Sequence, residues 1–244
     1  MKAIVLGICP EAVIVDVTHE VAKFDIRMGA YILTSAAPYF PKGTIHVAVV
    51  DPGVGSARRS LIVHTKNGVL VGPDNGVLAL AANRERIVSV REITNSKYML
   101  PQVSGTFHGR DIFAPTAAHL ANGVQLDDFG AEIRDMVKPE FSEVKLSSDK
   151  TTGEVLYVDG FGNIVTNLSQ ETIAGYKAGN SINVSINRRR IEIKLGKTYA
   201  DAQPNESLIL MGSQGYVEIT KNQGNAFQEF KAKPGDKVTL SLGS

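Results

Sequence analysis

The stretch Thr44–Ser56, TIHVAVVDPGVGS, places a sharp turn directly after an apolar run. The run TIHVAVV has the apolar, β-branched character of a buried strand, and Asp51 stands at its end. Pro52, Gly53 and Gly55 then bend the backbone and allow a ligand to approach it closely. Ligands of open α/β sheets bind outside the carboxyl ends of the strands. The stretch therefore predicts an α/β domain with a candidate site that begins at Asp51.

The segments on either side of this strand alternate between strand-like and helix-like patterns up to about residue 142. We predict strands at Val13–Val17, Thr44–Val50, Ser60–His64, Val69–Val71 and Ile87–Ile93, and helices at Asp25–Phe40, Asn75–Ala82 and Asp111–Asn122. This alternation predicts an α/β N-terminal domain with a mainly parallel sheet, while the Asn67-Gly68 turn predicts one antiparallel hairpin. In the GPDNG motif, Asp74 or Asn75 is expected to cap the following helix.

The second part of the chain has a different pattern, with short strand-like runs separated by turn residues. We predict strands at Glu154–Val158, Asn163–Asn167, Ser181–Ile186, Arg190–Leu195, Leu208–Met211, Tyr216–Thr220 and Lys237–Leu242. Repeated short strands without helices predict an all-β barrel domain. The polar run Leu146–Gly153 is interpreted as a linker, so the expected domains are residues 1–145 and 152–244.

The overall composition is that of an ordinary globular protein of 244 residues, with 43% hydrophobic residues and a net charge of +1. A nearly neutral chain lacks the basic footprint of a nucleic-acid-binding protein or of a membrane-surface protein. No run approaches the roughly 20 apolar residues of a membrane span. The single cysteine, Cys9, excludes an internal disulfide framework. We therefore expect a cytoplasmic protein that binds neither nucleic acid nor membrane.

Three polar residues near predicted strand ends and helix starts are candidates for catalysis. Arg58 follows Asp51 by seven residues and can fold back onto it, and His108 lies just before a predicted helix. A surface ion pair in a turn and a structural histidine would explain these residues equally well. The five histidines show neither HxH nor HExxH spacing, so a metal site would need ligands from distant parts of the chain.

Six motifs occur in an order that together resembles one family, the S-adenosyl-L-methionine hydroxide adenosyltransferases, which are relatives of fluorinating and chlorinating enzymes. The motifs are DVTHEV (Asp16–Val21), VVDPGVGS (Val49–Ser56), GPDNG (Gly72–Gly76), TFHGRDIFAP (Thr106–Pro115), DGFGNIVTN (Asp159–Asn167) and GSQGYVEI (Gly212–Ile219). The resemblance extends from the first residues to about residue 230.

The resemblance implies an activity and an assembly. The family cleaves S-adenosylmethionine with water to give adenosine and methionine and uses no cofactor. Its fold joins an α/β domain to a C-terminal β-barrel, and it assembles as a homotrimer with active sites between subunits. Asp51, Arg58 and His108 match the trio that the family links to water activation. The halogenating relatives have an aromatic residue at the position of Asp51, so this chain resembles the branch that uses water.

The resemblance also implies substrate contacts in both domains. Asp159 matches a residue that holds the methionine amino group, and Asn163 matches one that hydrogen-bonds adenine. Tyr199 stands where the family places an aromatic ring against adenine. Thr106 and Phe107 border the ribose and the sulfonium.

A further group of matching positions is expected at the methionine end of the substrate. Ser213 matches a residue near the methionine carboxylate, and Gln214 replaces an arginine of the halogenating relatives. Glu218 and Lys221, on the strand after Ser213, are expected to line the same end.

One departure from the family concerns the start of the sequence. Family members begin with a further strand and a TDFG-like loop whose aspartate grips the ribose diol, and this sequence starts partway into the family's first helix. The departure predicts an unpaired strand edge together with weak substrate binding and slow or absent turnover. Equal affinity and turnover with and without the missing segment would instead mean that another residue, such as Asp16 or Asp74, binds the diol. An adenosine-binding protein that lost turnover with that aspartate is therefore one alternative. A metal-dependent hydrolase that uses His108 and Asp51 is a separate alternative.

Overall fold

The computed structural model describes residues 1–138 and 144–242. The chain divides into two compact units, Met1–Glu140 and Phe141–Ser244. The helices of the first unit are α1 (Lys2–Ile8), α2 (Ile26–Ala36), α3 (Ala79–Glu85) and α4 (Ala114–Ala121), and its strands are β1 (Thr44–Val47), β2 (Ser60–Thr65), β3 (Gly68–Pro73), β4 (Ile87–Glu92) and β5 (Glu132–Ile133). The second unit contains α5 (Ala226–Phe230) and strands β6 (Lys145–Leu146), β7 (Lys150–Val158), β8 (Ile164–Ser169), β9 (Ser181–Ile186), β10 (Arg189–Leu195), β11 (Ser207–Met211), β12 (Tyr216–Lys221) and β13 (Lys237–Leu242).

The sheet of the first unit is mixed, so the prediction of a mainly parallel sheet is wrong. Its order in the described residues is β1-β3-β2-β4-β5, and only the β1–β3 pair is parallel. The loop between β2 and β3 is too short for anything but a hairpin, since parallel strands need a crossover of about a dozen residues. The chain then crosses through α3 to the far side of β2, which makes the β2–β4 pair antiparallel as well.

Apolar side chains cover both faces of this sheet, which confirms the α/β class. One cluster joins the sheet to α2 and α3 and includes Leu33, Leu61 and Leu78. The other cluster includes Ile62, Phe113 and residues of the segments around α4. A sheet buried on both faces is typical of layered α/β folds.

No helix within residues 1–138 and 144–242 is long and apolar enough to cross a membrane.

Two of the predicted local features of this unit are wrong. The run Val13–Val17 forms no strand, and Val13 is 91% exposed. Its β-branched residues favour extended backbone, but a strand gains stability only from pairing, and no described strand pairs with it. The GPDNG motif does not cap α3, because that helix begins at Ala79 with Leu78 as its N-cap.

The helix predicted at Asp25–Phe40 is confirmed. Asp25 caps α2, since its Oδ1 accepts the backbone N–H of Met28 at 2.8 Å. A turn of 3-10 helix, Ala37–Tyr39, then carries the helical path to Phe40, ahead of Pro41. The helix lays its small and apolar face on the sheet beside the strand that leads to Asp51.

The second unit contains a closed barrel, as predicted. Seven of its described strands follow the order β13-β9-β10-β11-β12-β8-β7, and pairing of β13 with β7 closes the ring. Closure leaves no open sheet edge in that ring. Alternate residues of each strand, such as Ile182, Val184 and Ile186, fill the interior. The run Leu146–Gly153 is only partly a linker, because β7 already begins at Lys150.

Candidate active site

The motif after β1 folds into consecutive turns that return the chain to Asp51. Val54 N–H donates to the Asp51 carbonyl at 3.3 Å, and Ser56 N–H donates to the Gly53 carbonyl at 3.1 Å. The Ser56 hydroxyl donates to the same carbonyl at 2.6 Å and accepts the N–H of Arg58 at 3.3 Å. These turns bring the side chain of Arg58 back against Asp51, as the seven-residue spacing predicts.

The Arg58 guanidinium holds two of the predicted residues, Asp51 and His108, in one network. Its Nε and Nη2 donate to the Asp51 carboxylate at 3.0 and 2.5 Å, and Nη2 lies 2.7 Å from His108 Nδ1. Its Nη1 donates to the Ser60 hydroxyl at 2.9 Å and to the Arg59 carbonyl at 3.2 Å. All five N–H bonds of the guanidinium are therefore used within the protein.

The surroundings of the network favour the neutral form of His108. The Asp51 side chain is only 5% exposed, and the Arg58 side chain is buried against the face of Phe113. Burial of the ring, and then the charge of Arg58, lower the pKa of His108 below its usual value of 6.5. Because Nδ1 accepts from Arg58, the neutral His108 ring carries its proton on Nε2. The trio thus combines a carboxylate, a saturated guanidinium and a neutral imidazole.

His108 reaches this network from a second loop that touches the first. The loop ends in a π-helical turn, Gly109–Phe113, with His108 at its start, as predicted for a residue before a helix. A Cβ atom on Gly55 would lie 2.2 Å from the Gly105 carbonyl oxygen, so the two loops are in direct contact there. The predicted residues Thr106 and Phe107 lie in the same loop and are exposed.

The GPDNG motif supports this site and does not form part of it. Asn75 Nδ2 donates to the Val50 carbonyl at 2.8 Å, which anchors the end of the strand just before Asp51. Asp74 is buried and accepts from Arg59 Nε at 2.8 Å and from the N–H of Val137 at 2.7 Å. Its carboxylate is therefore engaged inside the protein and is not free to replace the diol-binding aspartate.

A cavity of about 430 Å³ opens beside Asp51 in the first unit. Its lining is mainly apolar and comes from the segment Val17–Phe24, from α2 and from the end of β1 with Val47–Val50. Asp16 lies near this segment but pairs with Lys2 and with His19, whose Nε2 is 3.2 Å from Asp16 Oδ1. A cavity with one carboxylate on an apolar lining is typical of a small-molecule site.

The second unit holds another cluster of the predicted residues, built on the turn between β7 and β8. Asp159 Oδ1 accepts the N–H groups of Phe161 and Asn163 at 2.9 Å each. Asn163 Nδ2 donates to Asp159 Oδ2 at 2.8 Å and lies 3.3 Å from the Tyr199 hydroxyl. The Thr220 hydroxyl donates to Asn163 Oδ1. The structure thus brings Asp159, Asn163 and Tyr199 together.

Glu218 lies close to this cluster, while Lys221 does not join it. Burial, and then the charge of Asp159, raise the pKa of Glu218 above its usual value. Lys221 stands at the end of β12 and pairs with Glu229 Oε2 at 3.2 Å. Since side chains alternate along a strand, Lys221 points to the face opposite Glu218.

The loop between β11 and β12 carries the two remaining predicted residues. Ser213 is exposed, and its hydroxyl lies 3.5 Å from Gln214 Nε2. The buried Oε1 of Gln214 has no hydrogen-bond partner among the described residues. Gly212 leaves room for Glu218, because a Cβ atom there would lie 2.0 Å from Glu218 Oε1.

Two aromatic residues near the Asn163 cluster were missed by the sequence analysis. Phe161 is 80% exposed, and Phe227 is 40% exposed. Phe227 N–H donates to the Gly162 carbonyl at 2.9 Å, so the start of α5 packs on the Asp159–Asn163 turn. Aromatic residues exposed beside a polar amide are a signal for a flat ligand, and the sequence showed Phe161 only as the centre of a glycine-flanked turn.

No group of three or more His, Cys, Asp or Glu side chains within residues 1–138 and 144–242 is arranged to hold a metal ion. His108 and Asp51, the pair named for a metal-dependent alternative, are both bound to the same cationic guanidinium. A positive group between two ligands is unfavourable for a cation, so these residues as arranged do not fit a metal site.

Comparison with known proteins agrees with this architecture. Residues 1–130 match the SAM hydroxide adenosyltransferase N-terminal domain, and residues 153–239 match the SAM hydroxide adenosyltransferase C-terminal domain. The chain is 39% identical to an (R)-S-adenosyl-L-methionine hydrolase of Salinispora tropica, over 96% of this chain and 88% of that protein. The named hydrolases among its relatives, matched over nearly the whole chain, show that the protein is an enzyme with a small-molecule substrate. The chain belongs to the SAM hydroxide adenosyltransferase family.

Two further relatives extend the comparison. A crystal structure of an uncharacterized conserved protein from Thermotoga maritima superposes with a TM-score of 0.92 at 35% identity, covering 98% of this chain and 93% of that one. A fluorinase of an Actinoplanes species is 26% identical, over 98% of this chain and 91% of that protein. The chain is therefore similar to both hydrolases and fluorinases, with higher identity to the hydrolase.

Proposed function

We propose that this chain hydrolyses S-adenosyl-L-methionine to adenosine and L-methionine by attack of water at C5′ of the ribose. The observation that carries the proposal is the network in which Arg58 joins His108 to Asp51, the one carboxylate that lines the apolar cavity. The choice of substrate and reaction follows the relative that is named an (R)-S-adenosyl-L-methionine hydrolase. No cofactor is required by this chemistry, because the substrate brings its own leaving group.

The reaction needs little help at sulfur and much help at water. The C5′–S bond breaks with its electron pair on sulfur, which leaves as a neutral thioether, so no general acid is needed there. Water is a weak nucleophile and must lie in line with that bond. A site that holds one desolvated water in line with C5′ accelerates the reaction through proximity. A neighbouring carboxylate accelerates it further by accepting the proton of that water.

The hydrogen bonds favour Asp51 as the group that takes this proton. A carboxylate offers about four acceptor positions, and Arg58 occupies only some of those on Asp51. His108 uses its Nδ1 lone pair on Arg58, so the ring N–H that it can still donate is at Nε2. Arg58 has no N–H left for a substrate. We therefore propose that Asp51 accepts the proton, His108 orients the water or a ribose oxygen, and Arg58 orients both.

Activity should fall at acid pH because His108 must stay neutral. Protonation would place a second N–H at Nδ1, opposite the Arg58 donor, and would break the 2.7 Å contact. The pKa of His108 is lowered, so the neutral form persists below pH 6.5 and is lost as the pH falls through the lowered pKa. We expect the acid limb of kcat/KM to lie below pH 6.5 and to lose its His108 component in His108→Gln. A limb above pH 6.5 would contradict this assignment.

Substrate binding is proposed to use the clusters of both units. Tyr199 and Phe161 offer flat apolar surface for adenine, and Asn163 offers its amide. The Tyr199 hydroxyl is the weakest partner of Asn163 at 3.3 Å, so adenine can replace it at least cost. Asp159 supplies negative charge for the methionine amino group, and Ser213 with its neighbour Gln214, whose buried Oε1 lacks a partner among the described residues, suits the polar end of methionine.

The remaining predicted contact residues differ in how their surroundings suit the substrate. Thr106 and Phe107 lie beside His108 and suit the ribose and the sulfonium, since an aromatic face attracts a cation. Glu218 lies near Asp159, where its raised pKa indicates a confined carboxyl group. Lys221 is engaged with Glu229, so we propose no direct substrate contact for it.

Replacing Asn163 by Ala should weaken adenosine binding by about tenfold to a hundredfold, the equivalent of one hydrogen bond in a buried site. Calorimetric titration with adenosine measures the change. Asn183→Ala is the matched control, because that amide donates to the Leu242 carbonyl on another part of the barrel. Equal affinity in both variants would remove Asn163 from the adenine site.

The reaction itself is tested by incubation of the full chain with S-adenosylmethionine in ¹⁸O-labelled water, followed by chromatography and mass spectrometry. We expect adenosine labelled at its 5′ oxygen together with unlabelled methionine, and the same yield with and without a chelator. Adenosine binding without product would support a protein that lost turnover. Loss of product with chelator would support the metal-dependent alternative, and either result would overturn the proposal.

The family resemblance also leads us to propose a homotrimer whose sites combine the first unit of one subunit with the second unit of the next. A head-to-tail ring satisfies this with one heterologous interface. Coexpression of Asp51→Asn chains with Asn163→Ala chains tests it, because some mixed interfaces then join two intact halves. About a quarter of the sites should be intact on random assembly. No recovery of activity, or monomers by light scattering, would contradict the proposal.

A further inference from the structure

A carboxylate that the proposed mechanism does not use lies at the centre of the His108 loop. Asp111 is 0% exposed and belongs to the π-helical turn Gly109–Phe113. Its Oδ1 accepts from Arg110 Nε at 2.6 Å, and its Oδ2 accepts from Arg110 Nη2 at 3.1 Å and from the N–H of Ser104 at 2.8 Å. The pKa of Asp111 falls to about 2, chiefly through Arg110, so this carboxylate stays charged throughout the physiological range.

The partner of Asp111 reaches the exposed aromatic ring of the loop. The guanidinium carbon of Arg110 lies 5.1 Å from the centroid of the Phe107 ring, a cation–π contact. The Arg110 side chain is partly exposed, so solvent alone would leave it free to move. Its bidentate bond to Asp111 holds the planar group in one orientation.

The same carboxylate also fixes the backbone on the other side of the loop. The Ser104 N–H donates to Asp111, and the Ser104 hydroxyl accepts the N–H of Phe107 at 3.1 Å. The residues between these two anchors are Gly105, which touches the loop of Asp51, and Thr106. One buried charge thus restrains both ends of the segment that carries Thr106, Phe107 and His108.

We propose that Asp111 and Arg110 are positioning residues that hold the Phe107 ring and the adjoining loop in place for the reacting sulfonium and water. None of the described hydrogen bonds joins the pair to His108 or Asp51, so the contacts through which the pair positions the loop are those with Phe107 and Ser104. The charge of Asp111 also acts on His108 and opposes the lowering of its pKa. This proposal rests on the proposed function, since the sulfonium belongs to that substrate.

The energetics favour positioning over stability as the role of the pair. Taking a carboxylate out of water is costly, and neutral residues of similar volume are often as stable as a buried ion pair. A neutral pair would still fill the space, but it would not orient a planar cation over Phe107. The expected signature is therefore a loss of activity that is larger than any loss of stability.

The variants must not leave a buried charge without a partner. Arg110→Met alone would strand the Asp111 carboxylate, so the test uses the double variant Arg110→Met with Asp111→Asn, in which the introduced amide oxygen can still accept the N–H of Ser104. Arg110→Lys keeps the charge and lacks the planar group. Lys97→Met is the matched control, because Lys97 Nζ lies 5.2 Å from the Tyr98 ring centroid in another cation–π contact of the same unit.

Three quantities are measured in each variant: the urea midpoint, kcat and KM for S-adenosylmethionine, and the ¹⁹F spectrum of protein labelled with 4-fluorophenylalanine. We expect the double variant to lose about tenfold or more in kcat/KM through displacement of the loop, mostly in kcat. Its urea midpoint should shift no more than that of the control. The kcat/KM of Arg110→Lys should remain well below that of the parent enzyme.

The ¹⁹F signal of Phe107, assigned with Phe107→Leu, reads the ring position without turnover. It should shift in the double variant and stay unchanged in Lys97→Met. An unmoved signal, a kcat/KM within twofold of the control, or an activity loss that only follows the urea midpoint would overturn the positioning role. A parent protein that forms no adenosine would overturn the proposed function instead, and the ¹⁹F shift would then decide the Phe107 contact by itself.

Discussion

Replacing Asp51 by Asn is expected to lower kcat for S-adenosylmethionine by roughly a factor of 100 to 10,000, the usual contribution of a general base. The amide cannot take a proton from water, and its NH₂ group would face the Arg58 donors that now lie 2.5 to 3.1 Å from the carboxylate. Single-turnover measurement of adenosine formation gives the rate constant of the chemical step without a contribution from product release.

Adenosine affinity should change little in the same variant, because the adenine contacts are proposed for the second unit. Ser60→Ala is the matched control, since it removes one hydrogen-bond acceptor of Arg58. The hydrogen bonds of Arg58 to Asp51 and to His108 remain in that variant. We expect that control to retain most of the parent activity. If Asp51→Asn kept near-normal turnover in folded protein, Asp51 would not be the proton acceptor and the proposed roles within the trio would be wrong.

Replacing Gly55 by Ala is expected to reduce both stability and turnover. Gly55 has φ +78°, a conformation that costs an alanine roughly 1–2 kcal/mol. A Cβ atom there would also lie 2.2 Å from the Gly105 carbonyl oxygen, so the two loops of the trio must separate. Since a shift of about 1 Å in a reacting group can cost a hundredfold, we expect kcat to fall by about that factor.

Gly43→Ala separates the two effects expected in Gly55→Ala, namely backbone strain at a positive φ and collision with the other loop. Gly43 has φ +86°, and a Cβ atom there would meet nothing within 4 Å. That control carries the same backbone strain without the collision, so its urea midpoint should fall and its turnover should not. Equal turnover in both variants would show that the contact between the two loops is unimportant for the chemistry.

The pairing of Asp51 with Arg58 could be predicted from the sequence because its determinants are local. Asp51 and Arg58 are joined by a seven-residue turn rich in glycine and proline, and such turns return the chain within a few residues. The barrel strands were predictable for a similar reason, since period-two patterns and turn residues mark each strand; Ser181–Ile186 and Lys237–Leu242 match the observed bounds. His108 entered the trio through the resemblance, which supplied the long-range information that spacing lacks.

The incorrect predictions concern contacts between distant segments. Val13–Val17 has strand-forming residues and no partner strand among those described, and strand propensity alone cannot hold a strand. Asn75 looked like a helix cap and instead binds the Val50 carbonyl across the sheet.

The amino-acid sequence by itself determined the two structural classes, the turn at Asp51 and the glycine positions that allow close approach. Only the tertiary structure decided the strand order of the first sheet, the tautomer of His108 and the chain of contacts from Asp111 through Arg110 to Phe107. Turns and periodic patterns depend on neighbours a few residues apart, which the sequence displays. Strand order, the position of the proton on the His108 ring and the stacking of side chains depend on contacts between residues far apart in the sequence. Packing of the whole unit determines those contacts.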